Sequence, residues 1–200
     1  FLYPIVSRCL ALRDEGAEPG IVAILVYPMN ALAEDQLTRL RDFLAGTGIS
    51  FGMYGGKTPE DTADVIGKRL NTGASREQYR RELEKAQQER RGTAVHPSEE
   101  RCSREEMRHS GGQPRILLTN VKQLELLLTR QTDESLFDGA KLEYLVFDEA
   151  HTFSGAIGGE TACLIRRLRA FIGKGTRDTT CIATSATIAD RSNPEPALHF

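Results

Sequence analysis

Leu142 to His151 reads LEYLVFDEAH, a β-prone apolar stretch that runs straight into two carboxylates, an alanine and a histidine. Leu145, Val146 and Phe147 follow one another with no polar alternation, which predicts a strand covered on both faces, as in a parallel sheet. Thr180 to Ala183 (TCIA) predicts the next strand, running into Thr184-Ser185-Ala186-Thr187. Between the two, Glu160 to Phe171 (ETACLIRRLRAF) has the spacing of an amphipathic helix.

The same alternation extends toward the N-terminus. Arg115 to Thr119 (RILLT) predicts a strand, followed by an apolar helix over Val121 to Leu128. Ile21 to Tyr27 (IVAILVY) is an almost continuous β-prone run ended by Pro28. Asn30 is then placed to cap a helix whose Leu32, Leu37, Leu40 and Leu44 share one face. Phe1 to Leu12 has helical spacing, and Ile49 to Tyr54 reads as a short strand closed by Gly55-Gly56. Strands separated by helices at this rhythm predict an α/β fold, a parallel β-sheet flanked by helices. The segment 57–114 departs from it as a charged insertion, helical or partly disordered, with helices over Asp61 to Leu70 and Arg76 to Arg91. From Arg76 to Arg108, nine Arg/Lys face eight Asp/Glu, so the run nearly neutralises itself and reads as a solvated face, not a basic patch.

Composition narrows the classes. With 200 residues, 40% of them hydrophobic, the chain can bury a core, and 27% charged residues with a net charge of −2 indicate neither disorder nor a strongly basic protein. No apolar stretch is long enough to cross a bilayer, so no membrane partner is expected. The four cysteines, Cys9, Cys102, Cys163 and Cys181, form no CxxC pair and read as buried thiols in a reducing cytoplasm. The chain opens at Phe1 inside an apolar run, which reads as a piece of a longer protein.

In parallel sheets ligands gather outside the carboxyl ends of the strands. Four polar clusters fall at such ends: Pro28-Met29-Asn30, Thr119-Asn120, Asp148-Glu149-Ala150-His151 and Thr184-Ser185-Ala186-Thr187. A carboxylate there can hold Mg²⁺ through its water shell, and its neighbour can orient or deprotonate an attacking water. The blander reading of an acidic pair is a helix N-cap. Cys102 with His96 and His109 lacks the ligand set of a zinc site. Arg166, Arg167 and Arg169 read as a solvated helix face, and Tyr27, Phe51 and Tyr54 as core. Gly173 to Thr176 reads as a helix C-cap and turn rather than a phosphate loop.

Taken together, DEAH after one strand and SAT after the next resemble motifs II and III of the superfamily 2 DEAD/DEAH-box helicases. YPMNALAEDQ (Tyr27 to Gln36) is similar to motif Ia of that family, Gly55-Gly56 to its GG turn, and LLTN (Leu117 to Asn120) to motif Ib. DEAHTFSGAIGGETACLIRRLRAF, with ALAEDQ upstream and ATSATIAD downstream, resembles the YprA/MrfA-like and Lhr-like DNA helicases. YPMNALAEDQLTRLR and the charged insertion also resemble DrmA, the helicase subunit of the DISARM anti-phage system. The resemblance implies the first RecA-like domain of a helicase or translocase, spanning 1–200 and truncated at both ends, that couples ATP hydrolysis to movement on DNA. It implies ATP and Mg²⁺ as cofactors, a second RecA-like domain in the same parent chain, and a setting in repair or phage defence with partner subunits.

Roles then carry over by position. Asp148 would bind Mg²⁺ through water, Glu149 would activate the hydrolytic water, and His151 would join the nucleotide-side network. Ser185, Ala186 and Thr187 would couple hydrolysis to grip. Pro28, Asn30, Gln36, Gly55, Gly56, Thr119 and Asn120 would line a nucleic-acid track of hydroxyls, amides and close backbone. One family element has no match: no GxxxxGK[ST] phosphate loop occurs in the sequence. The 200 residues are therefore expected to be inactive in ATP hydrolysis when isolated. The rival readings are a non-catalytic nucleic-acid-binding module from a degenerate helicase, and a small P-loop-like NTPase switch.

Overall fold

The computed structural model describes residues 1–89, 93–175 and 177–185. Helix α1 (Leu2–Asp14) leads into strand β1 (Ala23–Tyr27), helix α2 (Asn30–Leu44) and strand β2 (Phe51–Met53). The insertion supplies β3 (Lys68–Arg69), α3 (Arg76–Gln88), β4 (Val95–His96), β5 (Glu100–Arg101) and α4 (Arg104–Arg108). Beyond it come β6 (Ile116–Asn120), α5 (Val121–Leu127), β7 (Tyr144–Phe147), α6 (Gly155–Ile172) and β8 (Thr180–Ala183).

The main sheet runs β5-β2-β6-β1-β7-β8 and every pairing in it is parallel. β1 sits at its centre, with all five residues buried. Side chains alternate across a strand, so β1 feeds two cores. Leu25, in register with Leu118 and Val146, packs beneath α1 and α2 against Ile5, Cys9, Leu12, Leu40 and Leu44. Ile24, in register with Leu117 and Leu145, faces the other way, toward Leu124, Leu127, Leu164 and Leu168 of α5 and α6. The unbroken apolar runs are explained by these two covered faces.

Several local expectations are corrected. Asn30 is the first residue of α2, not its cap; the cap position is Met29, and it makes no side-chain capping bond. Asn120 caps instead, accepting from the Gln123 backbone at the start of α5. Asp61 to Leu70 forms a single 3₁₀ turn (Thr62–Asp64) and then β3, which pairs in parallel with β4; that strand pairing overrides the local helical preference. α6 begins five residues before the expected Glu160, because Gly158 allows a close approach: a Cβ there would lie 2.6 Å from the Phe153 carbonyl oxygen. Cys9 and Cys102 are buried, but Cys163 and Cys181 are exposed. Gly173 does end α6 in the left-handed conformation, while Thr176 lies outside the described residues.

The charge in the insertion is organised rather than merely solvated. α3 opens with a capping box of Ser75 and Gln78 and buries Tyr79. It docks on α2 through Asp42, which accepts from Arg76 Nη2 at 2.7 Å and from Arg80 Nε and Nη2 at 2.7 and 2.9 Å. The hydrogen bonds of Arg80 and Arg76 hold the Asp42 carboxyl far below the usual carboxylate range. A carboxyl so depressed stabilises the fold fully above its unfolded pKa of about 4 and loses that contribution as pH falls further. Amide chemical shifts of α3 should therefore hold steady from pH 7 to about 4 and move below it. Movement centred between pH 5 and 7, or none in the acid range, would show that Asp42 does not hold the helix.

Candidate active site and nucleic-acid edge

All six strands of the main sheet are parallel, so their carboxyl ends share one edge, and the polar clusters meet there. Register sets the spacing. Val26 pairs with Phe147 on one side and Thr119 on the other, and Phe147 pairs with Ala183. The acids thus leave the sheet between Pro28-Asn30 and Thr184-Ser185.

Around the acids the two strand ends are bonded to each other. Asp148 Oδ1 accepts from the Glu149 backbone N–H at 3.0 Å and from the Thr184 hydroxyl. The Ala150 N–H donates to the Thr184 carbonyl at 2.8 Å, and His151 Nδ1 lies 3.0 Å from Ser185 Oγ and 3.4 Å from Glu149 Oε2. Thr184 belongs to a cluster the sequence places at a strand end, but its role as the orienter of Asp148 is visible only once β7 and β8 are seen to be paired. Ala186 and Thr187 lie outside the described residues.

Glu149 is not a side-chain cap for the adjoining 3₁₀ turn (Ala150–Thr152). It sits in the left-handed region at φ 53°, ψ 46°, one of two such non-glycine residues among those described. That conformation is unfavourable by about 1–2 kcal/mol for a residue with a Cβ. Strain of this kind concentrates where a side chain must be aimed. Tyr27, buried behind the acids, has its hydroxyl pKa pushed well up by burial and by the Asp148 charge.

Asp148 suits a water-mediated Mg²⁺. Both donors described fall on one carboxylate oxygen, orienting the group and leaving Oδ2 unengaged by them, and the side chain is only half-buried.

Beyond β1, a second set of bonds joins the predicted track. Asn120 Nδ2 donates to Asn30 Oδ1 at 2.6 Å, and the Thr119 hydroxyl donates to the Tyr54 carbonyl at 2.8 Å. The Tyr54 N–H donates to the Leu118 carbonyl at 2.8 Å, bringing Gly55 and Gly56 to the same edge. Pro28 lies at the end of β1 beside this set. Gln36 does not join it: six residues along α2 from Asn30, it is about 9 Å further up the axis, and no described hydrogen bond links it to the edge.

His96, Glu100 and Cys102 do cluster in the interior, whereas His109 is exposed and bonded locally to Ser110. The cluster already holds a cation. Arg41 Nε and Nη2 each reach a Glu100 oxygen at 2.7 Å, and His96 Nδ1 lies 3.0 Å from Glu100 Oε2. Burial opposes ionisation of Glu100, but His96 and Arg41 overcome it and its pKa falls below the usual range. Burial raises the Cys102 thiol to about 12, which disfavours the thiolate a metal would need.

Against known proteins, the family model "DEAD/DEAH box helicase" matches residues 72–195. YprA of Bacillus subtilis (strain 168), described as an uncharacterized ATP-dependent helicase, is 38% identical over 170 residues, covering 84% of this chain and 17% of YprA. The Druantia protein DruE of Escherichia coli (strain UMEA 4076-1) is 26% identical over 265 residues, covering 98% of this chain and 14% of DruE. The chain thus spans about one-sixth of the length of these relatives. Two crystal structures of the DUF1998 helicase MrfA align with it at 25% identity. The one bound to DNA and AMPPNP has a TM-score of 0.54 over 98% of this chain and 21% of that one. The one bound to DNA has 0.56 over 94% and 19%. The parallel sheet flanked by helices is accordingly RecA-like in arrangement, and with more than half of its residues matched by the family model, the chain belongs to the DEAD/DEAH box helicase family.

Proposed function

We propose that this chain is part of an ATP-dependent DNA helicase or translocase and carries its hydrolytic acids and half of its nucleic-acid track. One observation carries the reading: a single parallel sheet edge bears both the Asp148-Glu149 pair and the bonded row of Asn30, Asn120, Thr119 and the Tyr54-Gly55 turn. The MrfA structures, with DNA and AMPPNP bound, support DNA and a nucleotide as the ligands.

Asp148, oriented by Thr184, would hold Mg²⁺ through water, and the ion would supply charge neutralisation at the phosphates. Glu149 accepts the proton of the attacking water. The bonds from Asp148 to Thr184, from Ala150 to Thr184 and from His151 to Ser185 tie the acids to the end of β8, so that a change at the nucleotide moves Ser185 and, beyond it, Ala186 and Thr187. The track offers amides, hydroxyls and peptide N–H groups, which suit phosphate contact without base readout and need no basic surplus. The other helicase half, including a phosphate loop and a second RecA-like domain, would come from outside these 200 residues, which alone should not hydrolyse ATP. Subunits of a repair or phage-defence assembly would be partners of the whole protein, which we place in the cytoplasm. Among the described residues, no helix is long and apolar enough to cross a membrane.

The test is ATP hydrolysis by the full-length protein titrated with single-stranded DNA. Stimulation supports the motor; DNA binding without any hydrolysis would favour the degenerate binding module, for which the missing GxxxxGK[ST] match is the argument. Gly56→Ala tests the track. A Cβ at Gly56 would meet nothing within 4 Å, and its φ is not in the left-handed range. Thermal stability should hold, while DNA affinity falls about tenfold through loss of a close backbone–phosphate approach. Unchanged affinity would remove Gly56 from the track.

A further inference from the structure

The Gly55-Gly56 turn is held by the insertion. Arg104 Nη2 donates to the Gly55 carbonyl at 2.9 Å, and its guanidinium lies 5.2 Å from the centroid of the Tyr54 ring. Arg104 also pairs with Glu60 at 3.6 Å, and the backbone N–H groups of Arg104 and Glu105 donate to the Pro59 and Glu60 carbonyls at 2.9 and 3.0 Å. Arg108 bridges Glu60 and Asp133, reaching Asp133 Oδ1 at 3.2 Å, and the Tyr54 hydroxyl donates to the same oxygen. Asp133 is buried and its Oδ2 has no partner among the described residues, so the carboxylate depends on these two donors. The Arg104 and Arg108 side chains are each only 19% exposed, which is not the state of a solvated charged face.

The Gly55 carbonyl accepts from both Arg104 and the Thr58 N–H, the latter at 3.2 Å. In a trans peptide the C=O and the adjoining N–H point in opposite directions. Fixing the Gly55 carbonyl toward α4 therefore fixes the Gly56 N–H away from it. None of the described hydrogen bonds uses that N–H, and the space beside Gly56 is open.

We propose that Arg104, seated by Arg108, Glu60 and Tyr54, is a positioning residue: it orients the Gly55–Gly56 peptide so that the Gly56 N–H meets a phosphate of bound single-stranded DNA. This rests on reading the turn as part of the nucleic-acid track. Arg104 does not itself touch DNA, since its guanidinium is committed to Gly55, Tyr54 and Glu60. The insertion is then the element that sets grip.

The experiment uses the full-length protein, a fluorescently labelled single-stranded oligonucleotide, and the variants Arg104→Ala, Arg104→Lys and Tyr54→Phe. Arg104→Ala should weaken binding about tenfold. It should also raise the half-saturating DNA concentration for ATP hydrolysis by the same factor, with turnover at saturating DNA moved less than about twofold. The slope of log affinity against log salt should stay as in the wild type, because no phosphate contact is lost. Lysine should recover less than half of the loss on a logarithmic scale, lacking the flat fork that serves three partners. Unchanged affinity in folded Arg104→Ala overturns the proposal. So does a slope reduced by about 0.7 with full rescue by lysine, which would make Arg104 a direct phosphate contact. Should Arg104→Ala fail to fold, Tyr54→Phe keeps the ring and removes only the bond to Asp133. A loss of about threefold with unchanged slope is expected there, and no loss overturns the proposal. If the wild type itself does not bind DNA, the proposed function falls and this inference with it; a binding wild type with unaffected variants sinks this inference alone.

Discussion

In Glu149→Gln, DNA-stimulated ATP hydrolysis by the full-length protein is expected to fall by at least about 100-fold, the contribution of a positioned general base. The substitution keeps side-chain length and the left-handed backbone at φ 53°, and removes only the carboxylate's ability to take a proton. The described contact of its side chain, 3.4 Å to His151, is long and half-exposed, so folding should be unaffected. DNA binding should persist, because the track residues hydrogen-bond among themselves and not to Glu149. Retention of a third or more of the wild-type rate would place hydrolysis elsewhere. Loss of DNA binding in parallel would show that the acids and the track cannot be separated.

The largest effect on stability should come from Arg41→Leu. Arg41 is 17% exposed and forms a fork on Glu100, which is 4% exposed and anchors β5 at the edge of the sheet. Removing the guanidinium leaves a buried carboxylate facing only His96, a change that typically costs about 3–5 kcal/mol. For a chain of this size that corresponds to a fall in thermal midpoint of about 10 °C. Arg41→Leu combined with Glu100→Leu should recover much of the loss, since no charge is then stranded. A single variant within about 1 kcal/mol of wild type would mean that water reaches Glu100 and the pair is not a lock.

The alternation of apolar runs with helical spacing is enough to read the parallel sheet, and the position of DEAH and TSAT after such runs is enough to read its functional edge. Both are local signals: the burial of a strand and the polar residues at its carboxyl end are written within ten residues of each other. The features that escape such a reading depend on partners distant in sequence. Asn30 looks like a helix cap by type and place, yet its side chain is taken by Asn120, ninety residues away. Asp61 to Leu70 has helical composition, but β4 supplies a strand partner that outweighs it. Arg104, Arg108 and Asp133 are legible in sequence only as charge, because the pairing of α4 with the Gly55 turn and with the 3₁₀ segment Gln131–Phe137 is tertiary. Gln36 enters the track through a motif alone and stands away from the edge. Cys181, in an apolar run, reads as an interior residue; it is exposed because β8 forms the margin of the sheet.

The left-handed backbone at Glu149 sets two selective pressures against each other. Glycine is the residue that this conformation favours, and it would relieve about 1–2 kcal/mol that a Cβ imposes. Any lineage or library sorted for thermal endurance alone would thus be drawn to glycine at position 149, and would arrive at a sturdier protein with no group to take a proton. That an acid occupies this position marks it as one where endurance has been traded for chemistry.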